Sequence, residues 1–354
     1  MKIGLIVPAN LKYSPYVKYY TDILKAEGVC FRVMVWDKTG MKEDADLNFV
    51  FPCSDFDRKR IMLGHYLFSR QCERYIRREK IDHLIVFTIA PLFFLGFGFL
   101  KHYQGRIIMD IRDDSPFRRQ FPQKLLKISE LAGLLVVSSP FYTKWFQRES
   151  ILCHNADQSM ISKYASPYGK ERINLPASIV FAGMMIEEKT NIQVINELAN
   201  SDSYKLLFVG RNIEGTEILK RYVQENDIQN VSFEGEFRKE DIVDIYRRKA
   251  DLVNILREKS TINRNALPNK LYDAVISGIP IIVYDHNEAI ANYVKQYSLG
   301  IVLDEQKDIK DQLLHYIHVF DPVLYKSGRD AFIQQIQIDR KIFESKLTEF
   351  CREQ

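Results

Sequence analysis

Short runs of Ile, Leu and Val alternate along this chain with stretches whose apolar residues recur every three or four positions, the alternation that builds helix-covered parallel sheets. "KIGLIVP" predicts a strand at the start, "YVKYYTDILKAEG" an amphipathic helix stopped at Gly28, and "CFRVMVWD" a second strand. "DRKRIMLGHYLFSRQCERYIRREK" (57–80) predicts one helix with Ile61, Tyr66, Leu67 and Tyr75 available to an apolar side. "HLIVFT", "GRIIMDIRD" and "LLVVSS" continue the strands, and "YGKERINLPAS" has the Gly, Pro and charges of a linker. A second series follows, with strands "SIVFAG", "YKLLFVG", "VSFEG", "DLVNIL", "IPIIVYD" and "GIVLD" and helices "NIQVINELANS", "GTEILKRYVQEND" and "DIVDIYRRKA" among them. The expectation is an α/β chain of two Rossmann-like domains, 1–170 and 171–325. A helical segment, 326–354, is expected to pack back toward the N-terminal domain.

At 354 residues the chain can bury two cores. Its 46% hydrophobic and 27% charged residues suit a soluble globular protein, and no apolar run approaches the roughly 18 residues that span a bilayer. Met1 leads straight into the first strand, so no secretory leader is expected. Cys30, Cys53, Cys72, Cys153 and Cys351 lack metal-ligand spacing and point to free thiols in a reducing cytoplasm. The net charge of +4 conceals an asymmetry: +9 over residues 1–170 and −5 over 171–354. A basic half attracts nucleic acid or an anionic membrane, and it is equally produced by a solvated helix face such as 57–80. Neither half has GxGxxG after its first strand or a GK[ST] loop, so dinucleotide and P-loop readings have no motif.

Ligands of open α/β sheets bind beyond the carboxyl ends of the strands, so functional residues should follow strands. "NALPNKLYDAVISGIPIIVYD" (265–285) concentrates such signals. Pro268 forces Leu267 from helical angles, Asn269 is a good N-cap and Gly278 a good stop. The helix 270–277 would then aim its free N–H groups at a cleft between the domains, where they favour an anion. Lys270 adds charge, and Asp273 shares its face. A phosphate with a vicinal diol would satisfy this set; a capped helix with a surface ion pair is the plainer alternative.

"LPNKLYDAVISGIPIIV" resembles the donor-binding segment of GT-B glycosyltransferases, especially the family-4-like bacterial polysaccharide enzymes. "IVFAGMMIEEKTNIQVINEL", "YKLLFVGRN" and "VSFEGEFRKEDIVDIYRRKADLVNIL" are similar to that family's successive C-terminal elements, and "MDIRDDSP" and "LCHNADQSMI" to its N-terminal landmarks. The resemblance implies a nucleotide-sugar on the C-terminal domain and the acceptor on the N-terminal one. By it, Asp273 takes the ribose hydroxyls, Lys270 and Lys189 face the diphosphate, Gly183 lets backbone approach the donor, and Glu236 and Phe237 meet the base. Leu267, Pro268 and Asn269 belong to the same donor segment. It also implies cytoplasmic work on a glycan or lipid-linked acceptor of a bacterial surface polysaccharide, at the inner face of the membrane, without nucleic acid, cofactor or metal. The "RDD" carboxylates are more simply a strand-end turn than a cation site.

Two departures stand out. Retaining members pair two acids across seven intervening residues, but Asn265 occupies the place paired with Asp273, leaving retention or inversion open. The arginine expected before the phosphate lysine is missing from "GMMIEEK", and Arg211, Arg257, Lys259 or Arg264 could replace it. On the acceptor side stand Asn10, Tyr13 and Ser14 of "NLKYSP" and Arg112. Asp110, Asp113 and Asp114 should reach the cleft, and if the reaction inverts one of them is the candidate general base, Asp113 being favoured; alternatively Asp113 pairs with Arg112 or caps a turn. His65 and His154 are further candidates. "APLFFLGFGFLKHY" (90–103), with Arg118 and Arg119, fits either a membrane-docking surface or a buried helix. A GT-B sugar-nucleotide epimerase, for which too few histidines match, and a non-catalytic anion- or nucleic-acid-binding protein are the alternatives.

Overall fold

The computed structural model describes residues 1–40, 49–52, 60–164 and 168–352. Met1–Asn155 with Ile338–Gln354 form one unit and Ala156–Gln337 the other.

The first unit is built on seven parallel strands: β1 (Lys2–Val7), β2 (Cys30–Trp36), β3 (Phe49–Phe51), β4 (His83–Phe87), β5 (Ile107–Ile111), β6 (Leu134–Val137) and β7 (Ile151–Leu152). Their order is β3-β2-β1-β4-β5-β6-β7. Strands covered on both faces must be apolar throughout, which is why β4 and β5 are buried along their whole length. The helices are α1 (Val17–Ala26), α2 (Ile61–Arg78), α3 (Ile89–Leu95), α4 (Phe97–Lys101), α5 (Pro116–Gln120), α6 (Pro122–Ser129) and α7 (Pro140–Thr143). On α1, Val17, Tyr20 and Leu24 recur on one face and enter the core. The 57–80 helix is α2; its residues 57–59 lie outside the described set, as does Cys53, and the other four cysteines are free.

The second unit begins with α8 (Gln158–Tyr164), so the chain changes unit at 155/156 rather than 170/171. The reason is local: the Arg247 guanidinium lies 4.9 Å from the Tyr164 ring and 4.4 Å from that of Tyr168. Six parallel strands follow: β8 (Ala177–Ala182), β9 (Tyr204–Val209), β10 (Val231–Glu234), β11 (Leu252–Asn254), β12 (Ile281–Tyr284) and β13 (Gly300–Leu303), in the order β10-β9-β8-β11-β12-β13. The covering helices are α9 (Glu188–Leu198), α10 (Glu214–Glu225), α11 (Ile242–Lys249), α12 (Thr261–Asn265), α13 (Asn269–Ser277), α14 (Glu288–Tyr297) and α15 (Ile309–Val319). In both sheets the strand order reverses beside the first strand, between β1 and β4 and between β8 and β11. Such switch points open a crevice for ligands.

The last helix, α16 (Pro322–Arg352), starts earlier than expected, with Pro322 in its first turn, and its residues divide between the units at 337/338. In the second unit Arg329 is fully buried: Nε donates to the Val275 carbonyl at 2.7 Å and Nη2 to that of Ile276 at 3.2 Å. It thereby satisfies last-turn acceptors of α13. Gly328 admits the Tyr297 carbonyl, which would lie 1.7 Å from any Cβ there. In the first unit Phe343, Leu347 and Phe350 of α16 pack with Leu5, Ile85 and Ile108.

Candidate functional site

The second unit's site is assembled at its switch point. Gly183 leaves β8 at φ 130°, a conformation suited to glycine, and a Cβ there would lie 3.2 Å from Lys270 Cε. Two more glycines bring backbone together around this turn. A Cβ on Gly210, after β9, would fall 2.1 Å from the Gly183 carbonyl oxygen, and one on Gly215, in α10, 2.1 Å from that of Met185.

Lys270 extends from the first turn of α13 with Nζ 3.4 Å from the centre of the Phe181 ring. Burial, then the Arg257 guanidinium, hold its ammonium down to about 7, against the opposing pull of Glu187 and Asp273. No described carboxylate lies within hydrogen-bonding distance of it. Glu187, just before α9, is instead held by the Arg257 Nε (3.1 Å), the Glu258 N–H (2.7 Å) and the Asn263 Nδ2 (3.3 Å). The Arg257 carbonyl oxygen is 2.9 Å from His286 Nε2.

Asp273, one turn along α13, accepts from Lys239 at 2.5 Å on each carboxylate oxygen. Burial pushes its carboxyl above the usual range, and Lys239 opposes this. The helix start differs by one residue from expectation. Pro268, extended at φ −71° and ψ 152°, is the cap and makes no side-chain bond, while Asn269 is the first helical residue. Proline already holds non-helical angles there, so it takes the cap position from its neighbour. Gly278 ends α13 in the left-handed region at φ 75°.

Of the other donor-side residues, Lys189 is exposed in the first turn of α9 and Arg211 exposed after β9. Glu236 is exposed and Phe237 half-buried after β10; Leu267 is buried. Asn265 donates to the Thr261 carbonyl at 3.0 Å. Arg264 pairs with Glu288 at 2.6 Å, and Lys259 is exposed.

The first unit has a cavity of about 300 Å³ at its own switch point, where Tyr13, Ser14, Lys38, His65, Thr88 and Asp113 meet. Thr88 is held there at φ 66°, a costly conformation for a β-branched residue. Burial and then Lys38 push the His65 imidazole down to about 3, so it is neutral between Trp36 and Phe94.

Three expected acceptor-side residues do other work. Asp110 is wholly buried, accepting from Tyr20 Oη at 2.6 Å and Arg112 Nη2 at 2.5 Å. Arg112 is buried with it and also donates to the Cys153 carbonyl and to Asn155 Oδ1, each at 2.9 Å. Asp114 receives Arg118 at 2.6 and 3.0 Å and Arg119 at 2.9 Å. Burial raises the Asp114 carboxyl, but Arg118 and the Ser115 N–H outweigh it and leave it below the usual range. Of the aspartates Asp110, Asp113 and Asp114, Asp113 alone is exposed. Asn10 is buried, bonding Asp37 (2.7 Å) and the Lys38 N–H (3.0 Å), and so fixes the Lys38 backbone from beneath. His154 lies 3.0 Å from Asp339, apart from the cavity lining.

The 90–103 run proves mostly structural. Leu92, Phe93, Leu95, Phe99 and Leu100 join the core. Among the described residues no His, Cys, Asp or Glu group could hold a metal, and no helix is long and apolar enough to cross a membrane.

Glu187, Lys239, Gly210, Gly215 and His286 were not singled out from sequence. Gly210 was visible as the glycine ending "YKLLFVG", but its close approach to Gly183 is tertiary.

Comparison with known proteins matches residues 171–319 to the family described as glycosyl transferases group 1. No curated protein matches. Among solved structures, an α,α-trehalose 6-phosphate synthase from Burkholderia multivorans superposes at TM-score 0.67 with 10% identity, over 99% of each chain. Alr3699/HepE from Anabaena, in complex with UDP and glucose, gives 0.63 at 16% identity, over 99% of this chain and 100% of that one. The lipopolysaccharide outer core galactosyltransferase WaaB gives 0.63 at 12% identity, over 97% and 100%. At such identities the likeness speaks for the fold, and the matched family speaks for the chemistry. Residues 171–319 belong to the glycosyl transferases group 1 family, and the chain has the GT-B fold.

Proposed function

We propose that the second unit binds a nucleotide-sugar and that the chain transfers its sugar to a glycan or lipid-linked acceptor in bacterial surface-polysaccharide synthesis. The observation that carries the donor reading is Lys270, drawn over Phe181 beside Gly183 with no carboxylate among the described residues bonded to it. A lysine so placed is stabilised by an arriving phosphate. Transfer leaves negative charge on the departing nucleoside diphosphate, and cations fixed in advance favour that charge more than the ground state. Lys270, Lys189 and the α13 N-terminus fill this role, with Asp273 released from Lys239 to accept from the ribose hydroxyls. The matching proteins with UDP and glucose bound, or with galactosyltransferase activity, support the substrate class.

If the reaction inverts, Asp113 of the first unit takes the proton of an acceptor hydroxyl as the hydroxyl oxygen bonds the anomeric carbon and the bond to the diphosphate oxygen breaks. Tyr13 and Ser14 line the acceptor cavity. The reaction needs no metal in this reading, because lysine and arginine supply the counter-charge. For the membrane, α2 offers a better surface than 90–103: Met62, Leu63, Tyr66 and Leu67 share one exposed face at 38–50% exposure.

Thermal stabilisation by UDP-, GDP-, CMP- and dTDP-sugars tests the reading. One base should raise the melting temperature, with or without EDTA. Stabilisation by none of them would refute donor binding.

A further inference from the structure

We infer that Arg257, carried on the turn after β11 and bonded to Glu187, is the second cation of the leaving-group site, and that Glu187 is the residue that positions it. This deepens the donor reading and rests on it.

The topology supplies the first argument. β8 and β11 are the neighbours flanking the switch point, and the loops leaving them carry Gly183–Glu187 and Arg257 respectively. The second argument is the geometry of the arginine. Glu187 holds Nε at 3.1 Å, and among the described residues neither Nη makes a hydrogen bond. The guanidinium fork that suits two phosphate oxygens is thus left open. Glu187 is fixed in turn by the Glu258 N–H and Asn263, and the Arg257 backbone by His286. This is a clamp that aims one side chain.

The third argument is charge. Lys270 faces Arg257, Glu187 and Asp273, but Lys239 occupies both oxygens of Asp273. Two cations are left to share the single carboxylate of Glu187. Like charges held together in a partly buried turn are costly until a polyanion arrives, and a diphosphate is an anion of the right charge and breadth. The other candidates fit less well: Arg264 is paired with Glu288, and Arg211 and Lys259 are exposed. In the reaction the bond between the anomeric carbon and the diphosphate oxygen breaks, its electron pair stays on that oxygen, and Arg257 with Lys270 receives the charge. The acceptor oxygen takes the carbon, and its proton passes to the base.

Calorimetry on the full chain tests this with the nucleoside diphosphate selected by thermal stabilisation, its nucleoside, and inorganic pyrophosphate. Arg257→Gln should weaken the diphosphate and pyrophosphate by roughly tenfold to a hundredfold, the scale of a charge-assisted hydrogen bond, and leave the nucleoside unchanged. Arg257→Lys should recover part of the loss. A second readout separates a charge at the site from a merely structural role. At pH 8 the free Lys270 has largely lost its proton, so diphosphate binding takes a proton up, measurable in buffers of different ionisation enthalpy. Without Arg257 the free lysine keeps its proton to higher pH, and the uptake shrinks. Equal losses for nucleoside and diphosphate, or unchanged diphosphate affinity and proton uptake, would overturn the role of Arg257 alone. Absence of diphosphate binding by the wild type would overturn the donor reading and this inference together.

Discussion

The two units treat buried charge in opposite ways. The first, whose residues sum to +8, neutralises its buried charges internally: Asp110 with Arg112, and Asp114 with Arg118 and Arg119. The second, whose residues sum to −4, leaves Lys270 and Arg257 sharing Glu187. The net charge of a region therefore does not locate its anion site. Pairing does, because a satisfied ion pair has nothing left to offer a ligand, and an unsatisfied cation is stabilised by one.

The largest test of this contrast lies in the first unit. Asp110→Ala strands Arg112 in the core, so urea unfolding should show a loss of about 3–5 kcal/mol. A loss below about 1 kcal/mol would mean that the pair is not structural. In the second unit Lys270→Ala should lower turnover by about 2.7–4 kcal/mol, with Lys189→Ala acting in the same direction but less. Nucleoside affinity should change little; equal losses toward nucleoside and nucleoside diphosphate would contradict a leaving-group role. Asp273→Asn should weaken the donor by about 1–3 kcal/mol without unfolding the protein, and unchanged affinity in calorimetry would take Asp273 out of the site. The smallest effect belongs to the surface. Vesicles with anionic lipid should bind through α2 and release as salt rises, each cation contributing about 1 kcal/mol. Leu63→Glu with Arg74→Glu should abolish co-sedimentation; an unchanged pellet would remove α2 from the contact. Arg118 and Arg119 pair with Asp114.

The strands were legible because doubly covered parallel strands are apolar without interruption, and α13 because Pro268 and Gly278 punctuate it. β3 and β7 were missed: runs of three and two residues carry no period. The cap of α13 shifted because two adjacent residues could both leave the helical region. Asp113 and its neighbours lie within five positions of one another, yet only the fold decides which carboxylate turns inward. Glu187 and Arg257 are 70 residues apart, and Lys239 and Asp273 are 34 apart, so neither partnership had a local signature.

Arg329 gives the boundaries of the matched stretch a practical meaning. Residues 171–319 stop short of it. A fragment cut there would expose the Val275 and Ile276 carbonyls at the end of α13, together with the faces of Tyr272, Tyr293 and Tyr297 that Phe332 covers. The stretch that marks common descent is therefore smaller than the stretch that folds, and any excised donor-binding fragment has to carry the chain through at least Phe332.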